Sequence, residues 1–596
     1  MTELLTAAQM RAIELAAIKS GDVTGLELME RAGRGVVEAV FEEWPELAKN
    51  IHRAVILCGP GNNGGDGFVV ARLLKEWDWE VQLFLFGEAE QLPPDAKVNY
   101  DRWEKLGQVT TLTEKAFRKR HPEHGHKYAD LYVDALFGTG LTRPVDGEAW
   151  NVLTHMCGRN GDNYVPYTVA IDAPSGLCLD SGRVLGSGAT EAGYSNRGAS
   201  AAASLTVAFD SPKIGHFIGE GPAVCNKLVV KDIGLRDWRC TSHEKGRDTA
   251  PMRRGGIGRN IRVPRVNLIT KEPLVPDTRQ FMNMYRWDML SKSQGAAHKF
   301  SHGHALILTG STGKTGAARL AARGALRIGA GLVTLGCPPN AQMEVANQIT
   351  ALMLARIDGQ QALTGVLEDD RLNALCLGPG MELKLAQALV PIALDSGRST
   401  ILDAGALSAY QDDPKALFDM LHEKCVLTPH MGEFSRLFPD LADKLNSPKK
   451  PPVLNTLQYD PTNLQQYMAD IQQWKDALAS QSGPAYSKVD AARDAAKRAG
   501  CVVLLKGADT IIAEPSGQCS IHAAHYERAA PWLATAGSGD VLAGFITGLL
   551  ARGFAPTQAA ETAAWLHVEC ALEFGPGLIA EDLPDQLPAV FRRLNL

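Results

Sequence analysis

No apolar run in the 596 residues approaches the ~18 that a membrane-spanning helix needs. No Cys-x-x-Cys pair occurs among the eleven cysteines. Several of them, Cys58, Cys376 and Cys501 included, sit inside apolar strand-like runs, the usage of buried, reduced thiols in a cytoplasmic protein. Neither sign of charge dominates: 61 Lys plus Arg stand against 67 Asp plus Glu, a net −6 that offers nucleic acid no general basic field. No short-period repeat is present. The first residues, MTELLTAAQMRAIELAAIKSG, carry Glu3, Arg11 and Glu14 within a helical pattern, unlike a signal peptide. What is there is ordinary globular material, 45% hydrophobic and 21% charged, which argues against disorder or coiled coil as the main architecture. At roughly 100–200 residues per domain the expectation is a soluble, cytoplasmic protein of more than one folding unit.

Continuous apolar runs at 53–58, 80–86, 129–133, 167–171, 203–209 and 227–230 read as strands of a parallel sheet covered on both faces. Helical stretches between them, such as Phe68–Trp77, supply the crossovers and predict a doubly wound, Rossmann-like α/β domain over residues 1–235. Residues 236–296, rich in Arg, Gly and Pro, read as a linker or inserted excursion. A second α/β series fills 297–596, opening with HALILTG (304–310) and carrying helical stretches at Thr315–Ile328 and Gly539–Arg552. Within it, 440–487 reads as a surface excursion.

Chemistry concentrates at strand ends. Gly59-Pro-Gly-Asn-Asn-Gly-Gly-Asp-Gly67 follows the first sheet strand, and a strand, glycine turn and helix aim backbone N–H groups and a positive helix end at one point. Glycine also permits positive φ and close approach of a ligand. VDALFGTGLTRPV (133–145) and AIDAPSGL (170–177) end later strands, so Asp134, Asp172 and Ser175 are expected to converge with Asn63 on one crevice. Such oxygen donors suit a hard cation, K⁺, Mg²⁺ or Ca²⁺. Lys213 and His216 in SPKIGH stand open between a place beside this crevice and plain packing. In the second half, ATAGSGDVLAG (534–544) puts a glycine turn at a helix start with Asp540 inside it. A phosphoryl group held there would lie beside an acid able to deprotonate a substrate hydroxyl. His430 at a strand end and Glu433 behind it stand open between site and helix start.

GPGNNGGDG, VDALFGTG and DAPSG, with LMERAG (28–33) and FDSPKIGH (209–216), resemble the epimerase domain of the bifunctional NAD(P)H-hydrate repair enzymes. The resemblance implies K⁺ at Asn63, Asp134 and Ser175. It implies hydrated NADH or NADPH against Asn62, Asn63, Gly64, Gly65, Asp66, Gly138, Thr139, Gly140, Leu141, Thr142, Arg143, Pro144 and Asp172. Asp172 is the expected catalytic group, relaying a proton and stabilising positive charge on the ring.

Gly310-Ser311, Thr315–Ala318, GALRIGAGLVTLGCP (324–338), LGPG (377–380), TPHMGEF (428–434), KGADT (506–510) and GSGDVLAG (537–544) resemble the ribokinase-like dehydratase of the same family. There Ala317, Gly380, His430 and Asp540 are implied to contact the hydrated dinucleotide. Lys506, Gly507, Ala508, Asp509, Thr510 and Gly539 are implied to hold ADP or ATP. Asp540 is the implied base at the C6 hydroxyl, with Mg²⁺ accompanying the nucleotide, and a homo-oligomer is the implied assembly. Two departures stand out: Met381-Glu382 follows LGPG, and Met431 follows His430 where proline is common. The alternative is a ribokinase-class small-molecule kinase carrying a non-catalytic N-terminal binding domain, which GSGD alone admits.

Overall fold

The computed structural model describes residues 2–120, 129–156, 167–185, 202–238, 266–270, 290–292, 298–446 and 484–596, with six positions between 466 and 473. Contacts divide the chain into two compact units. One comprises Leu4–Arg262 with Asn446–Ser487, the other Val263–Leu445 with Lys488–Leu596 and the first three residues. Both are α/β. Among the described residues no helix is long and apolar enough to cross a membrane.

The first unit is built on a seven-stranded sheet whose every pairing is parallel. Its spatial order is Val109–Thr111, Glu80–Leu85, Arg53–Cys58, Leu131–Ala135, Tyr167–Ile171, Leu205–Phe209, Leu228–Lys231. The central strands are buried on both faces, which is why their sequences run apolar instead of alternating. One face packs under the helices Ala7–Ser20, Gly25–Glu43 and Asn62–Glu76, and the other under Gly147–Met156. Thr6 with Gln9, and Thr24 with Glu27, close capping boxes that start the first two helices. The chain moves outward from Arg53–Cys58, then returns to place Leu131–Ala135 on its other side. The order therefore reverses between these two strands, and the loops that leave them border a crevice.

The second unit holds an eleven-stranded sheet. Parallel strands run Met353–Arg356, Leu332–Cys337, His304–Leu308, Leu372–Leu377, Ser399–Leu402, Cys425–Leu427, Val502–Leu505. Asp509–Ala513 and Cys519–Ala523 then add an antiparallel edge. Here the reversal falls between His304–Leu308 and Leu372–Leu377. Val266–Leu268, inside the segment read as a linker or excursion, is a strand paired in parallel with Cys519–Ala523, and Thr2–Leu4 lies beyond it in the same sheet. Most of that segment and of 440–487 lies outside the described residues.

Candidate functional sites

In the first unit the glycine motif sits at the reversal. The Gly59 amide donates to Ala135 O at 3.0 Å, and a β-carbon on Gly59 would stand 1.8 Å from Leu136 O. One on Gly64 would stand 2.0 Å from Gly59 O, and one on Gly67 would meet Ala135 and Cys58. The glycines thus let a helix start close against two strand ends. None of Gly59, Gly61, Gly64, Gly65 and Gly67 has positive φ, so the left-handed freedom expected of them is not used. The helix begins at Asn62, six residues before the expected Phe68, and no side chain caps it. Its first N–H groups are left for a ligand.

The acids from the neighbouring strands meet there. Asp134 is fully buried and accepts from Ser175 N (2.8 Å), Ser175 Oγ (2.6 Å) and Leu136 N (3.2 Å). Burial outweighs these bonds and raises its carboxyl to about 6. Ser175 Oγ also accepts from Phe137 N at 2.9 Å. Asp172, at φ 63, takes the Lys213 ammonium at 3.0 Å on one oxygen and the Thr139 amide (2.8 Å) and hydroxyl on the other. Burial pushes Asp172 up, but Lys213, Thr139 and His216 together hold it below the ordinary carboxylate value. A β-carbon on Gly138 would lie 2.8 Å from Asn63 Oδ1 and 3.1 Å from Asp172 Oδ2, so these three share the crevice. The Asn63 amide nitrogen is buried without a hydrogen-bond partner. Asp66 is pushed well above its ordinary value by burial, then by Asp172 and Glu14.

Lys213 and His216 belong to this cluster. The His216 ring accepts the Lys213 amide at Nδ1 (3.0 Å), which leaves Nε2–H to donate to Asp172 O (2.9 Å). Burial, then Lys213, lower the imidazole to about 4, so it is neutral. Leu141 packs on Cys178 and Leu185, whereas Asn62, Thr142 and Arg143 are exposed.

The second unit repeats the plan. A β-carbon on Gly310 would stand 2.0 Å from Gly380 O, and one on Gly380 lies 3.7 Å from Ala317, so these three motifs meet at the reversal. The departure at Met381-Glu382 serves the same loop: Glu382 accepts the Ser311 amide at 3.3 Å and pairs with Lys314 at 3.4 Å. Farther along the strand ends, Lys506 Nζ pairs with Asp403 at 2.6 Å and lies 4.0 Å from Glu433. Although burial works against its charge, Asp403 and Glu433 hold Lys506 above the ordinary lysine value. Asp540, on the first turn of Ser538–Ala551, is raised to about 6 by burial, with Asp403 and Glu433 adding and Lys506 opposing. Gly537 turns left-handed at φ 88 to start that helix, and again no side chain caps it. A β-carbon on Gly539 would lie 3.6 Å from Lys506 Nζ, which joins KGADT to GSGD. His430 caps Met431–Leu437, its Nδ1 accepting the Gly432 and Glu433 amides at 2.9 and 3.3 Å. Glu433 closes the same box by accepting the His430 amide at 2.9 Å. Asp509 pairs with Lys488 at 2.6 Å, the Ala508 carbonyl accepts the Ala524 amide, and Thr510 closes a turn on Gly507, so these three are engaged locally. A cavity of about 360 Å³ is lined by Pro531, Trp532, Ala534, Thr535, Gly577, Leu578 and Ile579.

Two clustered acids escaped the sequence reading. Asp403 follows its strand directly, the same signal that marked Asp172. Glu14 interrupts the buried helical stripe Ala7, Met10, Ala17.

Residues 25–215 match the family described as YjeF-related protein N-terminus, and 305–466 with 471–588 match NAD(P)H-hydrate dehydratase. A bifunctional NAD(P)H-hydrate repair enzyme Nnr of Moorella thermoacetica is 31% identical over 615 residues, covering 99% of this chain and 97% of that protein. An NAD(P)H-hydrate epimerase of Rhodobacter capsulatus is 46% identical over 240 residues, 39% of this chain and all of that protein. Among solved structures, the ADP/ATP-dependent NAD(P)H-hydrate dehydratase of Bacillus subtilis, co-crystallized with ATP/Mg²⁺, shows 27% identity at a TM-score of 0.38. It covers 52% of this chain and 96% of that one.

Proposed function

This chain belongs to the bifunctional NAD(P)H-hydrate repair enzymes, and on that premise we propose how its two crevices divide the work. The first unit interconverts the R and S epimers of hydrated NADH and NADPH. The second dehydrates the S epimer at the expense of ADP or ATP, releasing AMP or ADP and phosphate. The kinase alternative has less support, since a two-activity relative aligns along 99% of the chain.

In the first crevice the uncapped start of Asn62–Glu76 suits the dinucleotide's phosphates, with Asn62 to Asp66 and the Gly138–Pro144 turn flanking it. Asp172, kept ionised by Lys213, suits stabilisation of positive charge as the C6 hydroxyl leaves. The donor set fits K⁺. Asp134 is fully buried yet meets only neutral donors, and the available groups at Asn63, Asp134 and Ser175 are hard oxygens. These three would hold the ion, which supplies countercharge to the buried carboxylate.

In the second crevice Ala317, Gly380 and His430 would face the hydrated dinucleotide, while residues 506–510 and Gly539 would face the adenine nucleotide. Asp540 takes the proton of the C6 hydroxyl as that oxygen bonds to the terminal phosphorus and the bridging P–O bond breaks, its electron pair leaving on AMP or ADP. A carboxylate raised to about 6 is ionised at neutral pH yet more basic than an ordinary aspartate. Lys506, fixed by Asp403 and Glu433, can face the phosphoryl oxygens. Mg²⁺ fits beside Glu433, a buried hard-oxygen donor, and would neutralise phosphoryl charge. Phosphate then leaves with the C6–O electron pair as the N1 lone pair forms C6=N1, and loss of a C5 proton to solvent gives the C5=C6 double bond of the dihydronicotinamide.

The observation that carries this reading is that Asp403, Glu433, Lys506 and Asp540 form one charge cluster at strand carboxyl ends. The test is absorbance at 340 nm with racemic hydrated NADH, K⁺, Mg²⁺ and either nucleotide. Complete recovery is expected, and the nucleotide that supports it is the donor. Recovery that halts at the S fraction removes the epimerase, and no recovery with either nucleotide removes the dehydratase.

A further inference from the structure

The acids of the first crevice differ in what they can do with a proton. Asp172 is clamped by the Lys213 ammonium at 3.0 Å and by the Thr139 amide at 2.8 Å, so it is an anion that resists protonation. Resting on the epimerase reading above, we propose that Glu14 is the acid–base residue of this crevice, giving the proton with which the C6 hydroxyl departs and taking one from the water that returns.

Placement comes first. Ala7–Ser20 is held over the strand ends at its start, where Ala7 N donates to Asp180 at 2.7 Å and Leu5 bridges in parallel to Lys213. One turn on, Arg11 Nη1 reaches Thr139 O at 3.3 Å, on the residue that holds Asp172. Ala7, Met10 and Ala17 form the buried stripe of this helix, and Glu14 falls on it, four residues after Met10 and three before Ala17. An acid on the inward stripe of a helix is costly unless it is used or partnered.

Charge agrees with placement. Burial first, then Asp172, raise the Glu14 carboxyl to about 7; Lys213 and Arg11 pull it down and Asp210 adds to the rise. Asp66, on the helix that starts at Asn62, is held well above its ordinary value by burial, then by Asp172 and Glu14. Asp134, at about 6, is taken up by Ser175 and Leu136, which leaves Glu14, at about 7, as the crevice acid outside that set with both protonation states accessible near neutrality, as a reversible proton carrier requires.

The step balances. The C6–O bond breaks with its electron pair on oxygen, which takes the Glu14 proton and leaves as water, while the N1 lone pair forms the C6=N1 double bond of an iminium. In return a water lone pair forms C6–O on either face, the π pair goes back to N1, and Glu14 carboxylate receives the proton.

The experiment starts from the purified R epimer of hydrated NADH in H₂¹⁸O, comparing wild type, Glu14→Gln and Glu14→Asp in the full-length chain. Wild type is expected to incorporate ¹⁸O as it epimerises, with an ionisation near pH 7 in kcat/KM. Glu14→Gln should slow epimerisation and exchange together by about 100-fold or more and lose that ionisation. Glu14→Asp should recover part of the rate, and dehydration of the S epimer should be unchanged in both variants. Because the ionised form is disfavoured in the fold, Glu14→Gln should melt no lower than wild type at pH 8. A Glu14→Gln enzyme within threefold of wild type overturns the proposal and leaves the epimerase reading standing. Retention of the ionisation in Glu14→Gln, or epimerisation without ¹⁸O, also overturns it. A wild type that does not epimerise overturns both.

Discussion

At the scale of single residues the two crevices set their aspartates in opposite directions. Asp172 lies below its ordinary value and Asp540 at about 6, although both are withdrawn from water. The difference is the partner. Lys213 bonds Asp172 directly, whereas Lys506 is already taken by Asp403 at 2.6 Å and leaves Asp540 among like charges. Asp540→Asn should therefore abolish dehydration by about 100-fold or more while epimerisation continues, measured on the separate epimers. Its stability effect has a definite sign. A folded pKa above the unfolded one means wild type loses stability as pH rises through about 6, so Asp540→Asn should melt higher than wild type at pH 8 and alike below pH 4. The opposite holds for a buried pair that is broken. Lys213→Met leaves Asp172 charged, with Thr139 but no countercharge, in a site where the lysine is 1% exposed, and should cost about 3 kcal/mol in urea unfolding of the first unit. Motif spelling exposes Asp172 and Asp540; Asp403, at a strand end, and Glu14, in an apolar helical stripe, lie outside those motifs, and the charges the fold brings beside them mark their role.

Elements place these residues through close backbone contact. Ser538–Ala551, which carries Asp540, lies against Gly316–Arg327 with almost no side chain between. A β-carbon on Gly544 would stand 2.1 Å from Ala321 O, and one on Gly548 2.6 Å from Ala325 O. Gly544→Ala should thus push the helices apart, cost about 2 kcal/mol in thermal or urea unfolding, and lower dehydratase activity by shifting Asp540. GSGDVLAG contains this glycine, so one motif spells both a phosphate-facing helix start and the packing that holds it. Helix starts divide likewise. Ala7–Ser20, Gly25–Glu43 and Met431–Leu437 have side-chain caps, whereas Asn62–Glu76, Gly316–Arg327 and Ser538–Ala551 have none and all begin at motif glycines or their neighbours. The start at Asn62 could not be placed from periodicity, because Gly64, Gly65 and Gly67 carry no apolar signal and face neighbouring backbone and side chains.

For the whole molecule, two activities on separate units predict intermediates that diffuse. An equimolar mixture of Asp172→Asn and Asp540→Asn chains should restore full recovery at 340 nm from racemic hydrate, where Asp172→Asn alone stops at the S fraction. A mixture that stalls at that fraction would mean that the epimer passes only within one chain.

Much of this was legible in residue order. Continuous apolar runs announced parallel strands buried on both faces, because a strand flanked by helices has no solvent side to alternate with. Glycine and acid clusters at the ends of those runs announced crevices, because strand carboxyl ends are where α/β sheets leave backbone groups open. The weak elements were not legible. Val109–Thr111, Met353–Arg356 and Thr2–Leu4 are edge strands of three or four residues, and Val266–Leu268 is a three-residue strand next to one of them; all are too short for periodicity and add to the open edge of a neighbour. Nor could order alone assign protons. Whether Glu14, Asp66, Asp172 or Asp540 holds one depends on burial and on which ammonium lies within bonding distance, and those are properties of residues far apart in the chain.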